Sequence, residues 1–225
     1  MNWNSIAIDG PSGAGKSTLA RELARALGYV YIDTGAIYRT VGLYAARQGV
    51  DTKNAEAVLS RLHELDIQLT YEAGVQHIFL NGEDVSEAIR TEEASRHASE
   101  VSAIPGVRAF LLDLQRNMTK KQHVIMDGRD IGTVVLPDAS VKIFLTASPE
   151  ARAKRRYEEL LAKGEPVTYA SVYENLVRRD EIDSTRAAAP LRASEDAIMV
   201  DTTNDTPSEA LARLKQVIEE KLYAL

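Results

Sequence analysis

The stretch that decides the fold reads Gly10-Pro11-Ser12-Gly13-Ala14-Gly15-Lys16-Ser17. It fits the pattern G-x-x-x-x-G-K-[ST], which cradles phosphate groups when it joins a strand to a helix. Both flanks suit that context, because an apolar segment at Ser5–Ile8 precedes the loop and a helical pattern follows it. The sequence therefore predicts a phosphate-binding loop between the first strand and the first helix.

The residue types of this loop match the chemistry of a nucleoside triphosphate. Glycines let consecutive backbone N–H groups point at one anion, and the start of the next helix adds the positive end of its dipole. We expect Lys16 to reach the β and γ phosphates of ATP, and the Ser17 hydroxyl to ligate a bridging Mg²⁺ ion. The predicted ATP-binding residues are Gly10, Pro11, Ser12, Gly13, Ala14, Gly15, Lys16, Ser17 and Thr18.

Beyond this loop, short apolar runs alternate with helical patterns, which predicts an α/β fold with a parallel sheet. The predicted strands are Ser5–Ile8, Tyr29–Ile32, Val124–Met126, Val141–Leu145 and Ala197–Val200. All but the fourth are followed directly by an aspartate. Ligands of open parallel sheets bind outside the carboxyl ends of the strands, so the site is expected at that edge. Asp9, Asp33 and Asp127 are open to two interpretations, as structural residues or as ligands of magnesium-bound water.

Two helices are marked by their ends. The first covers Lys16–Leu27, with leucines four apart on one face, and Gly28 stops it. The last covers about 207–222. It is opened by Thr206 and Glu209, which have the spacing of a capping box.

Two segments interrupt the alternation of strands and helices. About 66–102 predicts a small antiparallel insertion, with strands Ile67–Tyr71 and Gln76–Leu80, an Asn81-Gly82 turn and a polar helix from Thr91. About 148–186 predicts two polar, arginine-rich helices. This second segment has few large apolar residues, so we expect it to pack loosely and to move.

The predicted fold class is therefore α/β, a three-layer P-loop fold with a five-stranded parallel sheet, a small antiparallel insertion and a helical lid. We expect a single domain over 1–225, with its core at about 1–65, 103–147 and 187–225. The insertion at about 66–102 and the lid at about 148–186 complete it.

Composition narrows the possible partners. The 225 residues carry a net charge of −6 and no cysteine, which argues against broad nucleic-acid binding, disulfides and thiolate zinc sites. No apolar run approaches the roughly 20 residues of a membrane span, and no basic leader precedes the first strand. We therefore expect a cytoplasmic monomer whose partners are small nucleotides, with no nucleic-acid polymer and no membrane.

Basic residues nevertheless cluster, with seven arginines between Arg152 and Arg192. Arg179, Asp183 and Arg186 have the spacing of one helix face. The planar fork of arginine suits phosphate, so several arginines beside a phosphate loop predict a second phosphate ligand. A protein that only hydrolyses a nucleoside triphosphate with water would not need that second set.

Three strings carry a resemblance to a known family: Tyr31-Ile32-Asp33-Thr34-Gly35-Ala36-Ile37-Tyr38-Arg39, Ile125-Met126-Asp127-Gly128-Arg129-Asp130, and Arg178 to Leu191, which reads RRDEIDSTRAAAPL. With the phosphate loop, they resemble bacterial cytidylate kinases over essentially the whole chain. The resemblance implies transfer of the γ-phosphoryl group of ATP to CMP and dCMP, with Mg²⁺. It also implies that the segment at 148–186 closes over ATP.

The resemblance also assigns roles to side chains. Ser99 and Asp130 would accept from the amino group of cytosine, and Arg108 would face the acceptor edge of the base. The monophosphate would be held by Arg39, Arg129 and Arg186, and the sugar by Arg179 with Asp183. Thr34 stands in the acceptor pocket where many relatives carry serine. The expected catalytic residues are Lys16, Arg129, Arg152 and Arg156.

Several of these residues keep a simpler interpretation. Thr34 also fits a helix cap, Arg179 and Asp183 an ordinary helix pair, and Asp127-Gly128 a bare turn. The lid arginines also fit a solvated basic helix face. The four histidines, His63, His77, His97 and His123, lack the spacing of metal ligands and are expected to be structural or exposed.

Two other functions fit the phosphate loop. One is a kinase for another small phosphorylated or hydroxylated acceptor, which a base-positioned carboxylate would favour for a hydroxyl. The other is a nucleotide-regulated binding protein, which slow turnover without a second substrate would favour. The separate set of arginines favours a phosphate acceptor instead.

Overall fold

A computed structural model describes residues 3–72 and 75–223 of the chain. In chain order its elements are β1 (Ser5–Asp9), α1 (Lys16–Leu27), β2 (Val30–Asp33), α2 (Thr34–Arg47), α3 (Ala55–Leu59), β3 (Ile67–Glu72), β4 (Val75–Leu80), β5 (Glu83–Asp84), α4 (Glu92–Ser102), α5 (Pro105–Asn117), β6 (Val124–Gly128), β7 (Val141–Thr146), α6 (Pro149–Ala162), α7 (Tyr169–Thr185), β8 (Ile198–Asp201) and α8 (Pro207–Tyr223). None of the helices in these ranges combines the length and apolar character that crossing a bilayer requires.

Five strands form the predicted parallel sheet, in the order β2-β6-β1-β7-β8. Each observed strand overlaps a predicted one, so the α/β prediction is confirmed. The predicted strands stop too early, because the aspartates expected just beyond them lie inside the strands. Asp33 pairs in register with Asp127, and Asp9 with Gly128. Three acidic side chains are thereby brought to one edge of the sheet.

Both faces of the sheet are covered. On one face, Ile6 and Ile8 pack with α1 and α8 through buried residues such as Leu23 and Leu214. On the other face, Ile32 packs in a cluster with buried residues of β6 and of the π-helical turn Ile131–Val135. A separate buried cluster joins α2 to the insertion and to α5. These layers fix the carboxyl edge of the sheet as a rigid base for the site.

The two helices predicted from their ends are confirmed. α1 begins at Lys16 and ends at Leu27, and Gly28 caps it in the left-handed region at φ 69°. At α8, the Thr206 N–H donates to Glu209 at 2.8 Å, and the Glu209 N–H donates to Thr206 Oγ1 at 3.3 Å. This is the reciprocal pattern of a capping box.

The insertion is an antiparallel sheet in the order β3-β4-β5. Asn81 and Gly82 both have positive φ, 50° and 85°, as the predicted turn requires. That turn leads from β4 into β5, a strand of two residues that is too short to leave an alternating pattern in the sequence. The polar helix predicted from Thr91 is α4, and the Thr91 hydroxyl caps it by accepting from the Ala94 N–H at 3.0 Å.

The arginine-rich segment forms the two predicted helices. Ser148 caps α6 by accepting from the Ala151 N–H, and α7 is opened by a capping box at Thr168. α6 and α7 pack on each other, and Leu160 and Leu176 are buried. Movement of this pair stays a prediction.

One glycine of the phosphate loop is required by close packing. Gly10 has φ 149°, and a Cβ placed there would lie 1.9 Å from the Leu145 carbonyl oxygen on the neighbouring strand. We therefore expect Gly10→Ala to lower the free energy of unfolding by about 2 kcal/mol, through a backbone clash and a strained φ. Chemical denaturation would measure this. Gly28→Ala is the matched control, because nothing lies within 4 Å of its Cβ position and only the strain of its φ remains. Equal losses in the two variants would contradict the close-packing argument.

Candidate active site

A cleft of about 620 Å³ opens at the carboxyl edge of the sheet. The phosphate loop forms one wall, α2 and α4 form another, and α6 and α7 close the third side. The predicted site residues that line it are Ser12, Gly13, Ala14, Gly15, Lys16, Ser17, Thr18, Thr34, Arg39, Ser99, Arg108, Arg129, Asp130, Arg156, Arg179, Asp183 and Arg186. Gly10, Pro11 and Arg152 do not line it. Residues from distant parts of the chain therefore converge on one cavity.

Lys16 is the first residue of α1, and it is only 5% exposed. Its ammonium Nζ donates to the Pro11 carbonyl oxygen at 2.7 Å, which holds it inside the loop. Burial, and then the neighbouring charge of Arg129, lower the pKa of Lys16 to about 7. This amine therefore needs an anionic ligand to stay fully charged at neutral pH.

The three aspartates at the sheet edge have different partners. Asp9 accepts from the backbone N–H groups of Ile131 and Gly132 at 2.8 and 2.7 Å, so it anchors the turn after β6. Asp33 caps α2 by accepting from the Ala36 N–H at 2.9 Å. Two of the three are therefore occupied in structural roles.

Asp127 is the aspartate that adjoins the phosphate loop. Its carboxylate accepts from the Ser17 hydroxyl at 2.8 Å and from the Tyr31 hydroxyl at 2.9 Å. Burial, and then the neighbouring charge of Asp33, raise its pKa to about 6. Within residues 3–72 and 75–223, no group of three or more histidine, aspartate or glutamate side chains could hold a metal ion.

Thr34 does not cap α2, so that simpler interpretation is wrong. The cap is Asp33, and the Thr34 hydroxyl instead donates to the Asp127 carbonyl oxygen at 2.7 Å. Asp127-Gly128 is likewise more than a bare turn, because it ends a buried strand. Thr34 thus ties the start of α2 to the end of β6, directly on the cavity wall.

Three arginines form a cationic group where α2, α7 and the end of β6 meet the cleft: Arg39, Arg129 and Arg179. Arg39 pairs with Asp33 at 2.7 Å, and Arg129 with Asp183 at 2.8 Å. Arg179 has a buried Nε without a hydrogen-bond partner. Burial, and then the charge of Arg129, lower the pKa of Arg179. These three cations are paired with only two carboxylates, and such an excess of positive charge favours a dianionic ligand.

A second polar group lies deeper, around Asp130. Its carboxylate pairs with Arg108 and, at 3.5 Å, with Arg186. The Arg108 guanidinium lies over the ring of Tyr38, 5.3 Å from its centre. The Ser99 Oγ is buried nearby without a hydrogen-bond partner. Both an unpaired hydroxyl and a carboxylate are available here to a polar ligand.

The structure groups Arg179 and Arg186 differently from the sequence analysis. They are seven positions apart, which is about 10 Å along a helix, and Arg186 lies beyond the last residue of α7. Arg179 therefore belongs with Arg39 and Arg129, while Arg186 lies against Asp130 and Asp183. Spacing on a helix face predicted that the side chains share the site, but not which end each one reaches.

Arg152 departs from the expectation that it faces the transferring phosphoryl group. Its buried guanidinium donates to the carbonyl oxygens of Ala147 at 2.9 Å and Ser12 at 2.8 Å, and pairs with Asp180 at 2.5 Å. Asp180 also accepts from the Ser12 N–H at 3.2 Å. Arg152 and Asp180 together hold both backbone groups of Ser12. Asp180 was not singled out from the sequence, because nothing in its pattern marks a contact with the loop.

Arg156, unlike Arg152, lines the cleft. It pairs with Glu92 of α4 and, at 2.8 Å, with Glu159 of its own helix. Arg155 also lines the cleft and donates to the Thr202 carbonyl oxygen. The cleft therefore has arginines along its whole length.

A family model described as cytidylate kinase matches residues 6–220 of this chain. The chain belongs to the cytidylate kinase family. It is 50% identical over 217 residues to a cytidylate kinase from Caldicellulosiruptor saccharolyticus, with 96% of each chain covered. It is 49% identical over 216 residues to a cytidylate kinase from Carboxydothermus hydrogenoformans, which covers 96% of this chain and 97% of the relative. The resemblance seen in the sequence motifs is thereby confirmed.

Solved structures resemble this member of the cytidylate kinase family in fold. One of them, an uncharacterized protein from Eubacterium ventriosum, superposes with a TM-score of 0.52 over 100% of both chains, at 11% identity. At that identity the likeness concerns the fold alone.

The lowered pKa of Lys16 predicts how nucleotide binding by the kinase depends on pH. Phosphate charges beside the ammonium raise its pKa above about 7, so binding takes up protons from the solvent. As pH rises through about 7, more of the free protein carries neutral Lys16, so proton uptake grows and observed ATP affinity falls. Calorimetry at about pH 8 in two buffers of different ionisation enthalpy would measure the uptake. Lys16→Met is the control for protons taken up elsewhere, and equal uptake in both proteins would contradict this assignment.

Proposed function

We propose that this chain transfers the γ-phosphoryl group of ATP to CMP, and also to dCMP, giving ADP and CDP or dCDP. The observation that carries the proposal is a cleft with two separate phosphate-binding walls. One wall is the loop that holds Lys16. The other is the arginine group of Arg39, Arg129 and Arg179, which is short of anionic partners. A triphosphate donor and a monophosphate acceptor supply both sets of charges.

The donor binds along the phosphate loop, which runs from Gly10 to Thr18 and lines the cleft from Ser12 onward. Mg²⁺ would accompany ATP, held by the Ser17 hydroxyl with Asp127 beside it, and would neutralise charge on the phosphates. The fit is supported by the Ser17–Asp127 contact at 2.8 Å. Mg²⁺ is commonly held by one or two carboxylates together with substrate phosphates, which suits a site without a full set of protein ligands.

The acceptor monophosphate binds to Arg39, Arg129 and Arg179. Asp183 and Arg186 bind its sugar, and Ser99, Asp130 and Arg108 read the cytosine base. This assignment exchanges the roles that the resemblance gave to Arg179 and Arg186, and it is supported by their separation in the structure. Arg129 contacts Asp183, so the phosphate and sugar sites share one network.

Catalysis then needs no general base. The attacking oxygen belongs to the acceptor phosphate and is already anionic near neutral pH. The protein has to hold two polyanions in line and to neutralise the charge that develops between them. Lys16, Arg129 and Arg156 supply that charge, and Arg152 acts through the phosphate loop. Water would compete as acceptor, and closure of α6 and α7 over ATP would exclude it.

The proposal also covers the division of the chain into parts and its state in the cell. The chain works as three parts, a core (about 1–65, 103–147 and 187–225), a monophosphate-binding insertion (about 66–102) and a lid (about 148–186). It acts as a monomer in the cytoplasm, with small nucleotides as its partners.

A panel of acceptors tests the proposed function. ADP release from ATP and Mg²⁺ is followed with CMP, dCMP, UMP, AMP and GMP in turn. We expect the largest kcat/KM with CMP, a substantial value with dCMP and little release without an acceptor. ADP release that is independent of the acceptor, or highest with AMP or GMP, would contradict the proposal.

A further inference from the structure

One ion pair crosses the cleft between the insertion and the lid. It joins Glu92, in the first turn of α4, to Arg156 of α6, 64 residues later in the chain. Among the described residues of 66–102 and 148–186, no other ion pair links these two segments. Arg156, which lines the cavity from the lid, is therefore held by a carboxylate from the insertion.

The charge of Glu92 also acts on an arginine of the proposed acceptor site. Its negative charge is among those that bear on Arg179, together with the charges of Asp183, Arg129 and Arg39. Arg179 has a buried Nε without a partner, so the acceptor site lacks an anion that Glu92 partly replaces. Glu92 thus pairs with an arginine of the lid and also acts, through its charge, on an arginine of the acceptor site.

We infer that Glu92 is a positioning residue that holds Arg156 away from the transferring phosphoryl group until the acceptor phosphate arrives. The inference rests on the proposed function. An incoming dianion at Arg179 repels the Glu92 carboxylate and competes for Arg156. Since exposed ion pairs contribute little, the exchange requires no large barrier. Arg156 then moves to the phosphates, where its charge speeds the transfer.

The consequence is a brake on wasteful hydrolysis of ATP. In hydrolysis, a water oxygen forms the new bond to the γ-phosphorus and the bond to the β–γ bridging oxygen breaks. ADP leaves with that electron pair, and the water proton goes to solvent. Arg156 would stabilise this reaction as well as the transfer to CMP. While no acceptor is bound, the ion pair with Glu92 keeps Arg156 from stabilising hydrolysis of ATP. Transfer to CMP is not slowed, because the pair breaks once the acceptor binds.

Glu159 offers a matched control. It also pairs with Arg156, but it lies three residues later on the same helix and moves with it. Lys163 occupies Glu159 as well, at 2.7 Å. Glu92→Gln and Glu159→Gln each remove one carboxylate from Arg156, and only the first cuts the link across the cleft.

The test measures phosphate release from ATP and Mg²⁺ without any acceptor, and CDP formation with CMP. We expect Glu92→Gln to raise the ratio of hydrolysis to transfer about threefold or more, the scale of an exposed ion pair, and Glu159→Gln to raise it less. A double variant, Lys16→Met with Glu92→Gln, measures the background of phosphate release that does not depend on the phosphate loop. Melting temperatures confirm that both glutamine variants fold.

An unchanged ratio in Glu92→Gln, or an equal rise in both variants, would overturn the inference. The wild-type protein keeps the two proposals distinct. If it forms CDP and the ratio does not respond to Glu92, the brake is wrong and the function stands. If it forms no CDP, the proposed function fails first.

Discussion

Replacing Lys16 with methionine is expected to lower kcat by roughly 10²–10³-fold while leaving the fold intact. The ammonium is buried at the turn of the phosphate loop, and its one hydrogen bond goes to the Pro11 carbonyl oxygen. Its charge is therefore directed at a ligand and contributes little to packing. Methionine keeps the length and the apolar stem of lysine but cannot neutralise charge on the transferring phosphoryl group.

Turnover and melting temperature together check this expectation. Burial already disfavours the charged form of Lys16, so its loss should leave the melting temperature within a few degrees of the wild-type value or above it. The Lys16→Arg variant keeps the charge in a different shape and should retain more activity than Lys16→Met. Near-normal turnover in Lys16→Met, at a normal melting temperature, would contradict the role of the loop in phosphoryl transfer.

Asp130→Asn is expected to reduce the preference for CMP over UMP by about tenfold, mainly by lowering kcat/KM for CMP. Cytosine presents an amino donor where uracil presents a carbonyl acceptor. The Asp130 carboxylate is buried beside Arg108 and Arg186. In the proposed assignment it would accept from the amino group of cytosine and would repel the uracil oxygen. Asparagine can turn a donor toward uracil, which narrows the difference.

Two variants separate base reading from general damage. Ser99→Ala removes the unpaired buried hydroxyl without changing any charge, and it should also weaken CMP more than UMP. Arg129→Ala should weaken both nucleotides alike, because the monophosphate is common to them. If Asp130→Asn lowers kcat/KM for CMP and for UMP equally, Asp130 only orients its neighbouring arginines and does not recognise the base.

The sheet and the phosphate loop were predictable from sequence because each is encoded locally. β1, the glycines and α1 follow one another within 23 residues, from Ser5 to Leu27. The limits were also local. β5 has two residues and leaves no pattern, and the strand ends were missed because aspartate favours turns by propensity, while here tertiary contacts hold it inside a strand. Asp9, for example, is kept in β1 by two backbone N–H donors from the turn after β6.

The site was less accessible to sequence because its members come from separate elements. Ser99 and Arg108 lie in α4 and α5, and only the family resemblance pointed to them. The spacing of Arg179 and Arg186 could not show which end of the cleft each side chain reaches, since that depends on where α7 ends. The sequence does not distinguish Arg152 from Arg156. Arg152 lies one helical turn earlier on α6, and there it contacts the phosphate loop and pairs with Asp180.

The most direct test of the account follows the phosphoryl group itself. ATP radiolabelled at the γ phosphorus is mixed with CMP, Mg²⁺ and the protein, and the products are separated. The account predicts that the label appears in CDP, in equal amount to the ADP formed, with little label in inorganic phosphate. Label found mainly in inorganic phosphate, or absent from CDP while ADP accumulates, would contradict the claim that this cleft joins a triphosphate donor to a cytidine monophosphate acceptor.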